Sequence, residues 1–514
     1  MADSRIEKSM QNVKWNTIFY FVFLVVNFFS RKTFLDTLGA EFMGLAGTLG
    51  NILSTLNLAE LGVGAAMSFH LYKPIHDGNR DTINELISLY GWFYRIAGTV
   101  ILVAAIIISA FFPLMFKDSA MPLLLAYVVF YSYLVSSLLS YFINYRQALL
   151  SADQRQYVVS KYLQGAAVVK TVVQIGLCWW LCNYYVWISM ELIFSLLACV
   201  ILNYKISRQY PWLHPLPREG RRLNRKYPSV FKSAKQVFVH HLKYHVAQHS
   251  DQILIFAFVS LTQVAYYGNY ALVFSKINNL FNALLGGVTA SIGSITAEGN
   301  HSRDMEIFWE QQSIRYLFAG IVCVGLYFTT QPLIELWLGA EYLLSNWVLL
   351  LFCINTYLWL TYSHITTFLH VRGMYADVWS AIAEIIVTLT VTLSIAPFCG
   401  IIGILLGKSI GTLLNLSIWK PYYLFHYGLK ESIKRYIRHV FLCMLLLAVS
   451  TALVVLMKAA FPVEPASSWG AFVAFVLCTG LILMVSYFGL MYFLTPGMRG
   501  FTHRLIAHYR CKAA

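Results

Sequence analysis

Six basic side chains fall inside long apolar runs of this chain: Arg95, Lys170, Lys243, Lys276, Arg315 and Lys408. Each costs about 2.5–3.5 kcal/mol near mid-bilayer on insertion scales, so six fully buried ones would cost about 15–20 kcal/mol, comparable to the stability of a whole domain. Such groups must snorkel, pair or face a watery cavity. Arg95 sits one or two turns from the end of its run, where snorkelling suffices. Arg315 and Lys408 lie deeper, and both readings stay open for them. Lys170, Lys243 and Lys276 are near the middle, where a cavity is favoured. Acids in the same runs are fewer: Glu60, Glu191, Asp251 and Glu384, with Glu310 near an end. A surplus of cations makes the interior a host for an anion, and phosphate suits Lys and Arg donors. The bland alternative is that the acids and bases pair off structurally.

His241, His245 and His249 form an i, i+4, i+8 stripe with His240 beside it. No carboxylate or cysteine stands at matching spacing, so a hydrated wall or simple packing suits the stripe better than a metal. His245, Glu60, Asp251 and Glu384 are candidates for coupling to a proton gradient, because each can change charge within the membrane. Tyr266, Tyr267 and Tyr270 fit an interfacial aromatic belt, with stacking on sugar rings as the alternative. Cys178 and Cys182, one helical turn apart, read as packing. There is no phosphate-binding glycine loop, no GxGxxG and no HExxH, so no cofactor, soluble-type enzyme or ATPase is indicated.

The elements that position these residues follow from composition. Of 514 residues, 58% are hydrophobic and 12% charged, and mean hydropathy is +0.62. Soluble domains carry about 25% charged residues. An all-α polytopic membrane protein is the fold class. A span needs about 20 apolar residues, which predicts 14 transmembrane helices, near 14–34, 42–69, 88–112, 120–144, 157–181, 184–204, 233–258, 263–292, 307–330, 343–369, 375–396, 400–424, 437–457 and 467–494. With both termini placed in the cytoplasm, 28 Lys and Arg fall in cytoplasmic segments and only four outside. This bias is the positive-inside rule, and it accounts for the net charge of +15 without nucleic acid as a partner. Asp81 to Phe93 reads as an amphipathic helix feeding span three, interfacial rather than a partner site. The expected organisation is an N-terminal bundle over 1–206 (spans 1–6), a basic cytoplasmic loop over 207–232, a C-terminal bundle over 233–424 (spans 7–12), and two further helices with a cytoplasmic tail over 425–514. The stretch Gly44–Gly62 aligns with Gly268–Gly286, with Leu56/Leu280, Ala59/Ala283 and Leu61/Leu285 also coinciding. Such a repeat fits a transporter of two pseudo-symmetric six-helix bundles, plus the two C-terminal helices.

The opening run Phe28-Phe-Ser-Arg31-Lys-Thr-Phe-Leu35-Asp-Thr-Leu-Gly39-Ala-Glu41-Phe-Met-Gly44-Leu, with Ala59-Glu60-Leu-Gly-Val-Gly64 after it, resembles the start of bacterial polysaccharide flippases. These are the Wzx-type, polysaccharide transport branch of the multidrug/oligosaccharidyl-lipid/polysaccharide exporter superfamily. The resemblance implies a central cavity between two bundles and alternating access. It implies transfer of a polyprenyl-diphosphate-linked oligosaccharide from the cytoplasmic to the periplasmic leaflet of the inner membrane, in O-antigen, capsule or exopolysaccharide synthesis. Coupling to a proton or sodium gradient follows from it, as do partners among membrane lipids and other polysaccharide assembly proteins. Arg31 matches the family's first-span arginine.

Residue chemistry alone agrees: a diphosphate cannot cross hydrocarbon unaided, and cations at Arg31, Lys170, Lys243, Lys276, Arg315 and Lys408 would lower that barrier. The glycine-rich, polar helices one, two, seven and eight are the expected gate. A cation-coupled multidrug exporter would want an acidic interior, and a membrane glycosyltransferase or polymerase would want larger outer loops. Glu335 and Glu341, the nearest outer acidic pair, read as a helix-end turn.

Overall fold

The computed structural model describes residues 2–57, 63–117, 119–153, 155–231, 250–297, 301–372, 374, 377–460 and 464–513. Among them there are helices and turns but no strand. Among the described residues ten helices are long and apolar enough to cross a membrane, so the chain is a multi-pass membrane protein. It folds as two compact units, Met1–Ala265 and Tyr266–Ala514.

The first unit contains α1 (Ala2–Leu56), α2 (Val63–His76), α3 (Arg80–Ser109), α4 (Leu123–Phe142), α5 (Gly165–Leu181), α6 (Tyr184–Gln209) and α7 (Gly220–Lys226). The spans predicted at 14–34 and 42–69 are not separated by a loop. α1 covers the first and the second as far as Leu56, kinked between them at Gly39, whose φ of 81° and ψ of 162° suit glycine alone. Its apolar stretch of 43 residues would measure about 65 Å if straight, twice the hydrocarbon thickness of about 30 Å. The span predicted at 157–181 is one continuous helical run from Gln156 to Leu181, wound as π turns over Ser160–Gln164 before α5. Most of the span predicted at 233–258 lies outside the described residues.

Asp81 to Phe93 does feed the third span, without a break, and its apolar face packs in the core rather than at an interface. It is the first half of α3, capped where Asn79 accepts from the Thr82 amide at 3.0 Å. Its apolar face (Ile83, Leu86, Ile87, Leu89, Tyr90) is buried in the core of the unit, which also takes in Leu213 and Leu223 of the basic segment. That segment is folded: the Leu216 amide donates to Ser88 Oγ at 2.7 Å, and Lys226 pairs with Glu85 at 2.6 Å. Tyr210 donates to Asp153 at 2.7 Å; burial and then this acceptor push its hydroxyl well above the usual phenol range.

Most of α8 (Leu261–Ala297) belongs to the second unit. There follow α9 (His301–Trp337), α10 (Asn346–Val371), α11 (Val378–Cys399), α12 (Ile401–Thr412), α13 (Ile433–Ala460), α14 (Trp469–Leu494) and α15 (Pro496–Ala513). In lipid, apolar burial between helices gives little driving force, so close packing must hold them. α12 supplies it through Gly403, Gly407 and Gly411, one turn apart. A Cβ on Gly403 would lie 2.6 Å from the Ala396 amide nitrogen of α11, and one on Gly407 would lie 2.2 Å from Thr392 Oγ1. The outward face of α14 is apolar, with Val473, Leu477, Leu481 and Val485 exposed at four-residue spacing, as a lipid-facing helix requires. After α9, Gly339 (φ 125°) turns the chain between Glu335 and Glu341, the helix-end turn read from the sequence.

Tyr267 and Tyr270 are core residues rather than belt or sugar-stacking residues. Their rings pack on Phe352 at 4.9 and 6.1 Å. The Tyr270 hydroxyl donates to Gln331 Oε1 at 2.9 Å and accepts from the Leu344 amide at 3.0 Å. A phenol whose hydroxyl is satisfied this way sits comfortably in an apolar interior.

Candidate functional site

α9 is buried on every side from Asp304 to Leu317 except at Glu306, and this stretch carries Glu310, Gln311, Gln312, Ser313 and Arg315. A soluble helix would show such residues to water. Here α10, α14 and α15 pack around them, so the charges must be satisfied locally or solvated.

Two of the charges at the start of α9 are satisfied. Asp304 pairs with Arg372 at 2.5 Å, and Arg372 also donates to the Gly428 carbonyl at 3.0 Å. Glu310 accepts from Arg504 of α15 at 2.9 Å. Arg315 differs. It is 8% exposed, and its guanidinium donates to Ser363 Oγ at 2.6 Å and to the Leu360 carbonyl at 3.4 Å, both on α10. It also lies over the Phe281 ring, 5.7 Å from the centroid. Among the described residues no carboxylate pairs with it, and its Nε has no hydrogen-bond partner. Both ring nitrogens of His364, next to Ser363, and both amide atoms of Gln312 are likewise buried without partners. Neutral oxygens and an aromatic face partly screen the charge but do not cancel it. A buried, unbalanced charge costs several kcal/mol, and each orphaned polar atom adds about 1–3 kcal/mol. Water or an anion at this cluster removes both penalties. The chemistry the arrangement offers is therefore anion binding by a guanidinium with spare donors.

The other expected site residues are dispersed. Arg31, half-buried on α1, donates to the Ala265 carbonyl at 2.9 Å. Lys170 on α5 forms an ion pair with Glu191 on α6 at 2.7 Å, with Gln174 donating to the same carboxylate at 3.3 Å, so its charge is balanced inside the first unit. Lys276 on α8 and Lys408 on α12 are half-buried, and both interact with neighbours. Asp251 is buried and interacts with neighbours as well. Glu384 on α11 accepts from Asn415 at 2.5 Å and lines a pocket of about 170 Å³ beside Trp379 and Trp419. Lys243, Glu60 and His245, with the rest of the histidine stripe, lie outside the described residues. Among the described residues no cluster of three His, Cys, Asp or Glu side chains could hold a metal.

Sequence reasoning missed the buried pair Lys420–Asp377, 2.6 Å apart, and the pair Arg372–Asp304. All four had been assigned to cytoplasmic segments or helix ends. The only signal was an acid and a base on neighbouring spans, which does not specify a pairing.

The chain is thus a helical, multi-pass membrane protein in two units, with a buried anion-compatible cluster in the second. The chain is similar to the solved structure of lipid II flippase MurJ in an inward closed conformation, with a TM-score of 0.65, 14% identity, and coverage of 95% of this chain and 99% of that one. It is also similar to a multidrug resistance MATE family transporter of the MOP superfamily in its inward-facing conformation (TM-score 0.56, 13% identity, 78% and 94% covered). A Vibrio cholerae MATE transporter, VcmN, in mutant form gives a TM-score of 0.52 at 15% identity, with 83% and 99% covered. No protein-family model and no curated protein matches the sequence. At these identities the likeness is one of fold.

Proposed function

We propose that this chain is a flippase for a polyprenyl-diphosphate-linked oligosaccharide, moving it from the cytoplasmic to the periplasmic leaflet by alternating access in the synthesis of a surface polysaccharide. The observation that carries this reading is Arg315, a buried guanidinium on a membrane helix whose partners are all neutral. A transporter of cations would place a carboxylate there. A diphosphate supplies the missing negative charge, and Ser363, His364 and Gln312 add hydrogen-bonding atoms beside it. Arg31, Lys243, Lys276 and Lys408 are retained as further candidate contacts for the same cargo. Lys170, held by Glu191, positions α5 against α6. Glu384, Asp251, Glu60 and His245 are the residues through which a proton or sodium gradient would drive the cycle. The fold similarity to a lipid II flippase supports this class of cargo.

The test is reconstitution. Purified protein in proteoliposomes is given a fluorescent polyprenyl-diphosphate oligosaccharide, and its transfer between leaflets is followed by quencher accessibility. Wild-type protein should accelerate transfer, Arg315→Gln should abolish most of the gain, and Arg315→Lys should keep part of it. Equal rates for wild type and Arg315→Gln would overturn the assignment, as would efflux of a cationic dye in place of lipid transfer.

A further inference from the structure

The second unit contains a cavity of about 770 Å³ where the start of α9, the start of α13 and the α14–α15 junction meet. Its floor and walls include Met305, Trp309, Leu442, Leu494 and Pro496, and its charged residues include His301, Glu306, Glu310, Glu431, Arg435 and Arg438.

Each acid around it already has another side-chain partner. Glu310 and Glu306 face Arg504 at 2.9 and 3.7 Å, and Glu431 faces His301 at 3.4 Å. That leaves Arg435 and Arg438. The guanidinium of Arg435 lies over the Trp309 ring, 5.0 Å from its centroid. Among the described residues no carboxylate pairs with either arginine. Trp309 is 7% exposed, and its Nε1–H is buried without an acceptor. Two arginines, one turn apart on α13, and an orphaned indole donor thus converge on a cavity that also presents the apolar side chains of Met305, Leu442, Leu494 and Pro496. α15 closes one side: Gly497 and Gly500 sit so close to the Trp309–Ser313 turn that a Cβ on Gly497 would lie 2.2 Å from the Trp309 carbonyl oxygen.

A planar guanidinium pair recognises phosphate oxygens. An aliphatic pocket beside it recognises a hydrocarbon chain, and basic pockets between membrane helices on the cytoplasmic side bind lipid headgroups. We infer that this cavity binds a phosphate ester carried on an aliphatic chain, namely the headgroup and first chain carbons of an anionic membrane phospholipid. The site uses none of the residues invoked for translocation, so it stands apart from the proposed function.

The full chain, purified in a neutral detergent, is titrated with phosphatidylglycerol, phosphatidylcholine or inorganic phosphate, while melting temperature and bound lipid by native mass spectrometry are followed. Phosphatidylglycerol should raise the melting temperature and stay bound, and the other two should not. Arg438→Gln should weaken the apparent affinity about tenfold, as loss of one hydrogen bond to a charged group implies. The double variant Arg435→Gln/Arg438→Gln should abolish the response. Lys458→Gln, at the opposite end of α13, should retain it. An unchanged response in the double variant would overturn the site. An equal response to inorganic phosphate would overturn the lipid as its occupant.

Discussion

Arg315 donates to the hydroxyl of Ser363 at 2.6 Å across the α9–α10 contact, and no acid completes the pair among the described residues. Eleven positions earlier on the same helix, Asp304 holds Arg372 at 2.5 Å. One helix therefore carries both a neutralised and an unneutralised buried charge. The contrast separates structural from functional cations more sharply than their depth in the apolar run does.

It leads to opposite responses in stability and activity at Arg315. Arg315→Gln removes a charge whose desolvation Ser363, the Leu360 carbonyl and the Phe281 ring offset only in part. The variant is expected to melt no lower than wild type in detergent, while lipid transfer in proteoliposomes falls by about tenfold or more. A large drop in melting temperature would mark Arg315 as a structural residue.

Lys170 and Glu191 should behave as a closed pair. Lys170→Met or Glu191→Gln alone strands a partly buried charge and should cost about 2–3 kcal/mol, below the range for fully buried pairs because both side chains keep some exposure. The double variant Lys170→Met/Glu191→Leu should recover most of that loss. Unfolding in denaturing detergent, run as a double-mutant cycle, measures the coupling.

Tyr270→Phe deletes the hydroxyl that ties α8 to Gln331 and to the Leu344 amide. Two buried partners are left unmet, so about 1–3 kcal/mol of stability should be lost. Thermal melting of the purified chain reports it, with Tyr266→Phe as the comparison.

Gly407→Leu drives a side chain into α11, where even a Cβ would lie 2.2 Å from Thr392 Oγ1. Overpacking of this kind costs about 1–3 kcal/mol. Gly489→Leu on α14, where a Cβ meets nothing within 4 Å, should be tolerated. Expression and monodispersity in detergent distinguish the two.

The helical membrane fold was legible because hydrocarbon demands long apolar stretches, and the chain has them. Basic residues inside those stretches were legible for the same reason. Their partners were not. Glu191 is 21 positions from Lys170, and Ser363 is 48 from Arg315, and only packing decides which residue on a neighbouring helix comes within reach. The break between the first two spans was legible over 35–41, where Gly39 lies, but one glycine among helix formers does not tell a kink from a loop. The aromatic run at Tyr266 pointed to an interface because composition cannot reveal that Phe352 waits beneath it.

After Thr412 the helix winds into π turns over Leu413–Trp419, and again over Leu424–Leu429. Each such turn takes more residues than an α-turn, so every side chain beyond it is rotated out of the α-helical phase. That phase brings Asn415 to Glu384 and Lys420 to Asp377. Rewinding one turn to α would swing both donors off their carboxylates while the helix axis stayed in place. The π winding thus sets which donors on this stretch meet which carboxylates on α11 and beside it.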